Sequence, residues 1–176
     1  STGTPLFDMT PYEVDGQLVS STGQLRWKEA DSRGSGWFTM DTPATKAVVG
    51  FAAGHALKCG QVTFETRSKF AAVYVTACEP DKTIESSREL LIAAIARARN
   101  TGMKFSPSGD RMLAAGRSPI LMEPVKATIT IRRSGSPKVF VLDHDGKMTG
   151  RELPIENGVF AIDGARDKSP YYLVRY

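Results

Sequence analysis

The feature that most restricts the fold of this chain is a succession of short apolar alternations, each broken by a cluster of Gly, Pro, Asp or Ser. A period of two puts alternate side chains on opposite faces of a strand. Frequent turn clusters leave little room for helices. The spacing predicts an all-β, antiparallel β-sandwich, jelly-roll or immunoglobulin-like, with at most one short helix. Residues 24–29 and 36–41 are expected to pair as a hairpin across the polar 30–35 segment. Residues 45–51 read as the next strand, ending at Gly54-His55, and 61–67 with 70–78 as a tight hairpin about Ser68-Lys69. Residues 125–133 alternate cleanly, Ala127, Ile129 and Ile131 against Thr128, Thr130 and Arg132. Residues 138–143 and 147–153 flank Asp145-Gly146, a turn pair that tolerates positive φ. Residues 159–162 and 171–176 complete the set. One segment is ambiguous: 84–100, with its Leu90–Ala98 run and Gly102 beyond, has the propensity of a helix and the apolarity of a buried strand.

At 176 residues the chain suits a single domain, 1–176, able to bury a core without staples. Its 41% hydrophobic and 24% charged residues are those of a globular protein. No apolar run is long enough to span a bilayer, and Ser1–Pro5 is polar rather than a basic-then-apolar leader. The net charge of +4 is scattered, without a Lys/Arg stripe interleaved with aromatics, so neither nucleic acid nor membrane is expected as a partner.

Motifs of chemistry are scarce. His55 and His144 are far apart and no Cys pair has zinc spacing, so neither a metal nor a cofactor is expected. Asp143-His144-Asp145-Gly146 has the opening of a calcium loop but not its closing Glu, and reads as a hairpin turn. There is no nucleophile elbow and no phosphate-binding glycine loop. Glu65, Glu79, Glu89, Glu123 and Glu152 include the carboxylates a glycosidase pair would need, but no local signature marks any of them.

Two constellations remain. With Ser68-Lys69 as a two-residue loop, Phe64 opposes Val73, Val62 opposes Val75 and Cys59 opposes Cys78, leaving a disulfide or two free thiols as the alternatives. With Trp27 opposite Phe38, Leu25 opposes Met40 on the same face, taken as the core face. Trp37 then falls on the other face with Lys28, Arg26 and Thr39. An outward Trp among cationic and hydroxyl groups is a stacking platform for a sugar ring; the alternative is a Trp37 covered by another strand or loop. Tyr12, Tyr171 and Tyr172 are weaker candidates.

Four stretches carry a family resemblance: Met40–Phe51 (MDTPATKAVVGF), Leu90–Met103 (LLIAAIARARNTGM), Leu121–Val125 (LMEPV) and Pro170–Val174 (PYYLV). Together they resemble the β-sandwich region that follows the catalytic barrel in some bacterial glycoside hydrolases. The resemblance covers about two-thirds of the sequence, an extent that still leaves function to be argued from the site. It implies a strand at Leu90–Ala98 and a non-catalytic accessory module of an extracellular or periplasmic enzyme, with polysaccharide or the catalytic domain of the same chain as partner. A free-standing hydrolase and a protein-binding assembly module are the alternatives.

Overall fold

The computed structural model describes residues 8–32 and 34–176. In chain order the strands are β1 (Glu13–Val14), β2 (Gln17–Val19), β3 (Leu25–Lys28), β4 (Trp37–Asp41), β5 (Thr45–Gly50) and β6 (Ala56–Cys59). There follow β7 (Val62–Thr66), β8 (Ala71–Ala77), β9 (Glu89–Ile95), β10 (Ala98–Thr101), β11 (Lys104–Phe105) and β12 (Met112–Ala114). The last are β13 (Arg117–Met122), β14 (Lys126–Ile131), β15 (Lys138–Leu142), β16 (Met148–Leu153), β17 (Val159–Asp163) and β18 (Tyr171–Arg175). Helix among the described residues is limited to a 3₁₀ turn at Thr10–Tyr12 and one turn, α1, at Gly164–Asp167. The chain is all-β, as its alternation predicts.

A ten-stranded sheet in the order β1-β2-β3-β4-β5-β8-β9-β18-β15-β16 packs on a four-stranded sheet, β17-β14-β7-β6, and neighbouring strands in both are antiparallel. Val62, Phe64, Ile129, Ile131, Phe160 and Ile162 of the small sheet meet Val48, Val73, Val75, Leu90, Ile92, Tyr172 and Val174 of the large one in a single core cluster. The ambiguous 84–100 segment opens with a turn at 84–86 and then forms strand, not helix: β9 alternates with Leu90, Ile92 and Ala94 buried, and a break at Ala96-Arg97 separates it from β10. Neighbours on both sides, β8 and β18, supply the hydrogen bonds that override its helical propensity.

The expected 61–67/70–78 hairpin does not form. β7 pairs with β6 and β14, whereas β8 crosses to the large sheet and pairs with β5 and β9. Val62, Phe64, Val73 and Val75 do share an apolar environment, but from opposite sheets rather than across one ladder. The tight turn lies one strand earlier, at Gly60-Gln61, where Gly60 takes φ 55° and Cys59 pairs with Val62. Ser68 and Arg67 are held by the small sheet instead: Arg67 N–H donates to the Lys126 carbonyl and Lys126 N–H to Ser68 Oγ. Cys59, in β6 of the small sheet, and Cys78, just past the end of β8 of the large one, are therefore not hairpin partners; both are free, the first buried and the second exposed.

α1 is anchored by one buried carboxylate. Asp167, its side chain fully enclosed, accepts from Arg166 at 2.7 Å and Arg151 at 2.8 Å. It also accepts from the Asp163 N–H and the Tyr172 hydroxyl, each at 3.0 Å. Burial alone would raise its pKa, but the hydrogen bonds from Arg166, Asp163 and Tyr172 outweigh it and hold the carboxyl below its ordinary range. The Asp143 side chain accepts from the N–H groups of Asp145 and Lys147, which makes 143–146 the hairpin turn expected between β15 and β16.

Two outcomes are expected. Burial, assisted by the Asp41 charge and opposed by Lys46, pushes the Cys59 thiol up to about 11. A folded sample titrated with a thiol reagent should therefore expose one thiol, Cys78, and the second only on denaturation. Asp167→Asn should destabilise the fold by about 2–3 kcal/mol in chemical denaturation. Because the folded pKa is depressed, the charge stabilises above the unfolded value of about 4 and is lost as pH falls through the folded one. The wild-type melting temperature should drop in that acid window, and the Asn variant should show a shallower drop.

Candidate functional site

The hairpin of β3 and β4 has the register read from the sequence: Leu25 opposite Met40, Arg26 opposite Thr39, Trp27 opposite Phe38 and Lys28 opposite Trp37. Arg26, Lys28, Trp37 and Thr39 do share a face. That face is the inner one, and the assignment of inside and outside is reversed from expectation. Thr39 continues through Val48 and Val73, and Trp37 through Gly50 and Ala71, into the row of side chains that meets the small sheet. Trp37 is half-buried against the core, its ring centroid 4.5 Å from that of His55. Gly50, at φ 132°, makes the close approach possible, since a Cβ there would sit 2.8 Å from the Trp37 Cα. Trp27 is the outward ring, 58% exposed.

The four predicted ligand residues do not line one cavity. Lys28 borders a hollow of about 690 Å³ with Asp8, Glu13, Glu29 and Asp31. Arg26 borders a shallow, mainly apolar trough of about 450 Å³ with Trp27, Tyr12, Leu18 and Phe38. Trp37 and Thr39 border neither of these two. The weaker aromatic candidates separate likewise: Tyr172 is fully buried and donates to Asp167, whereas Tyr171 stands half-exposed on the outer face.

That outer face is what the sequence reading missed. Leu18, Trp27, Phe38, Val49, Ala72 and Ile95 are successive cross-strand neighbours from β2 to β9. Beside them runs a second row, Leu25, Met40, Ala47, Tyr74, Ala93 and Tyr171. A third contains Thr45, Thr76, Leu91, Leu173 and Phe140. The next row is charged: Glu89 pairs with Arg175 at 2.8 Å, and Lys138 stands beside them. Packing of the small sheet on the large one is at the opposite side, where β6 meets β4 and β5. With strands about 4.8 Å apart and rows about 6.8 Å apart, the apolar area measures roughly 30 by 15 Å. Its footprint is on the order of 450 Å², with Trp27 exposed, Ala47 buried by its neighbours and the other apolar side chains of the rows partly exposed. The legible signal was in Ala71–Ala77 and Glu89–Ile95, which are apolar at nearly every position, as in strands covered on both faces.

The carboxylates considered for hydrolysis are mostly engaged in ion pairs. Glu79 binds Arg88, Glu89 binds Arg175, Glu123 binds Arg97 and Glu152 binds Lys138. Hydrogen bonds from the Arg88 N–H to Glu79 and from the Arg97 guanidinium to Glu123 hold both acids below their ordinary range. A glycosidase proton donor is shifted the other way. No group of three or more His, Cys, Asp or Glu placed to hold a metal occurs among the described residues.

The two tryptophans should separate in solution. Trp37→Ala should destabilise the chain by about 2–3 kcal/mol through lost packing, whereas Trp27→Ala should change stability by less than about 0.5 kcal/mol. In the single-Trp proteins acrylamide should quench Trp27 strongly and Trp37 weakly.

Comparison of the chain with protein-family models, with curated proteins and with solved structures finds no match.

Proposed function

We propose that the chain is a non-catalytic accessory β-sandwich of an extracellular or periplasmic carbohydrate-active enzyme, held against the catalytic domain of the same polypeptide by the outer face of its large sheet. The observation that carries this reading is the three-row apolar face. A sheet this apolar on both sides gains by covering the second side, at about 25 cal/mol per Å² removed from water. The ion-paired carboxylates, held in their ionised form, speak against the free-standing hydrolase. The sequence resemblance supplies the occupant, a catalytic barrel. Among the described residues no helix is long and apolar enough to cross a membrane.

The reading frame that encodes this chain is expected to encode a glycoside-hydrolase catalytic domain as well; a frame without one overturns the proposal. In that full-length polypeptide, Leu91→Lys or Tyr74→Lys should place an unpaired charge in the interface and weaken docking by about 2–4 kcal/mol. Calorimetry should then resolve two transitions where the wild type shows one. In the chain alone the same substitutions, on an open face, should cost less than about 1 kcal/mol.

The exposure of Trp27 favours a second reading, weak polysaccharide binding through that ring. Affinity gel electrophoresis against β-glucans, xylans, mannans and galactans tests it. Retardation by one polymer that is lost in Trp27→Ala supports it, and no retardation by any of them overturns it.

A further inference from the structure

Beyond β9 the chain leaves the sandwich as a two-stranded arm, residues 98–122. β10 pairs with β13, Ala98 opposite Met122 and Asn100 opposite Ile120, and β11 pairs with β12 toward the tip. The arm is internally braced. Thr101 Oγ1 donates to the Pro119 carbonyl at 2.7 Å, and Asn100 Nδ2 to the Ala115 carbonyl at 3.0 Å. Gly116, at φ 67°, allows the two strands to cross where a Cβ would lie 2.5 Å from the Thr101 carbonyl oxygen. All six residues of β13 are exposed, with Ile120 at 69% and Leu121 at 57%. Met112 and Leu113 of β12 are exposed as well.

An isolated two-stranded ribbon is marginal in water. One whose large apolar side chains are exposed along β12 and β13 gains little by folding against itself. The arm is also where the charge of the molecule collects. Residues 97–123 hold five cations and two acids, three of the four net positive charges of the whole chain. Both acids are engaged: Glu123 makes two bonds to Arg97, at 2.8 and 2.9 Å, and Asp110 accepts from Ser106 and Ser108 in the tip. Arg99 lies over the Phe105 ring, and Lys104, Arg111 and Arg117 make no ion pair among the described residues. Beneath the arm, Ile120, Met122, Ala98 and Pro124 line a largely apolar hollow of about 510 Å³. The arm departs from the Ile95 end of β9, beside the outer-face row that holds Trp27 and Phe38.

We infer that the arm is a preformed clasp that closes on an acidic part of the catalytic domain of the same polypeptide, with Ile120 and Leu121 as its apolar contacts and Lys104, Arg111 and Arg117 as its charges. The inference rests on the docking reading and adds to it a second, electrostatic contact. Apolar side chains displayed along a braced strand suit a protein surface, which buries them; a polysaccharide offers little apolar area to take them up. Net positive charge selects an acidic partner and makes the contact sensitive to salt.

The test is hydrogen–deuterium exchange on the full-length polypeptide and on the chain alone, with acrylamide quenching of Trp27 as the readout of the outer face. The expected result is that exchange in 98–122 slows at least tenfold in the full-length polypeptide and Trp27 becomes shielded. Arg111→Glu combined with Arg117→Glu should return arm exchange to the rate of the chain alone while Trp27 stays shielded, and the Lys versions of both should not. A shielded Trp27 with an unprotected arm overturns the clasp and leaves sheet docking intact. An exposed Trp27 with an unprotected arm overturns both. Arm protection that survives the double Glu variant overturns the acidic partner.

Discussion

The structure depends on one contact, the face-to-face packing of a four-stranded sheet against the middle of a ten-stranded one. Phe64, Ile129 and Ile131 on one side and Val73, Val75 and Ile92 on the other are almost fully withdrawn from water. Removing their apolar area from solvent is the main favourable contribution available to a sandwich. It also decides everything that is ambiguous locally. Glu89–Ile95 becomes strand because a place between β8 and β18 needs one, and Trp37 faces inward because Gly50 and Ala71 of its row lie over the small sheet.

The same contact accounts for the unequal sheets. Four strands cannot cover ten, so β1 to β3 extend the large sheet beyond the small-sheet edge at β6, which meets β4 and β5, and the outer side of the large sheet stays open. Where the sandwich ends, polar side chains close it. Asp167 gathers Arg151, Arg166, Tyr172 and the Asp163 N–H around one carboxylate, tying α1 to the strand that follows it and to β16. A buried acid so fully hydrogen-bonded fixes geometry more than it adds net stability, because its desolvation offsets much of the attraction.

The open side is the surface on which the proposed docking rests. Of the five glutamates weighed for hydrolysis, four are paired with arginine or lysine. What the fold presents instead is area: three apolar rows on the sheet and a basic, apolar arm beside them. In the proposed docking both meet another protein surface, one by burial and the other by charge.

Much of this was legible in the residues themselves. The turn clusters and period-two alternation determine an all-β antiparallel fold, and the β3–β4 register followed from pairing Trp27 with Phe38. The Asp145-Gly146 turn followed from its tolerance of positive φ, and the Arg26, Lys28, Trp37 and Thr39 set from alternation alone. Two things were not legible. Alternation says which side chains share a face, never which face another layer will cover; with apolar residues on both faces, Trp27 and Trp37 exchange roles. Nor does a two-residue link such as Ser68-Lys69 reveal whether it closes a hairpin or passes between sheets. β7 was taken by β6 and β14 and β8 by β5 and β9, so Cys59 and Cys78, opposed in a hairpin on paper, were parted, one in β6 and the other just past the end of β8. Local pattern determined the strands and their faces; which strands met was decided by the tertiary competition for partners, because backbone groups pair equally well with any strand of the right direction and only the shared burial of side chains tells the partners apart.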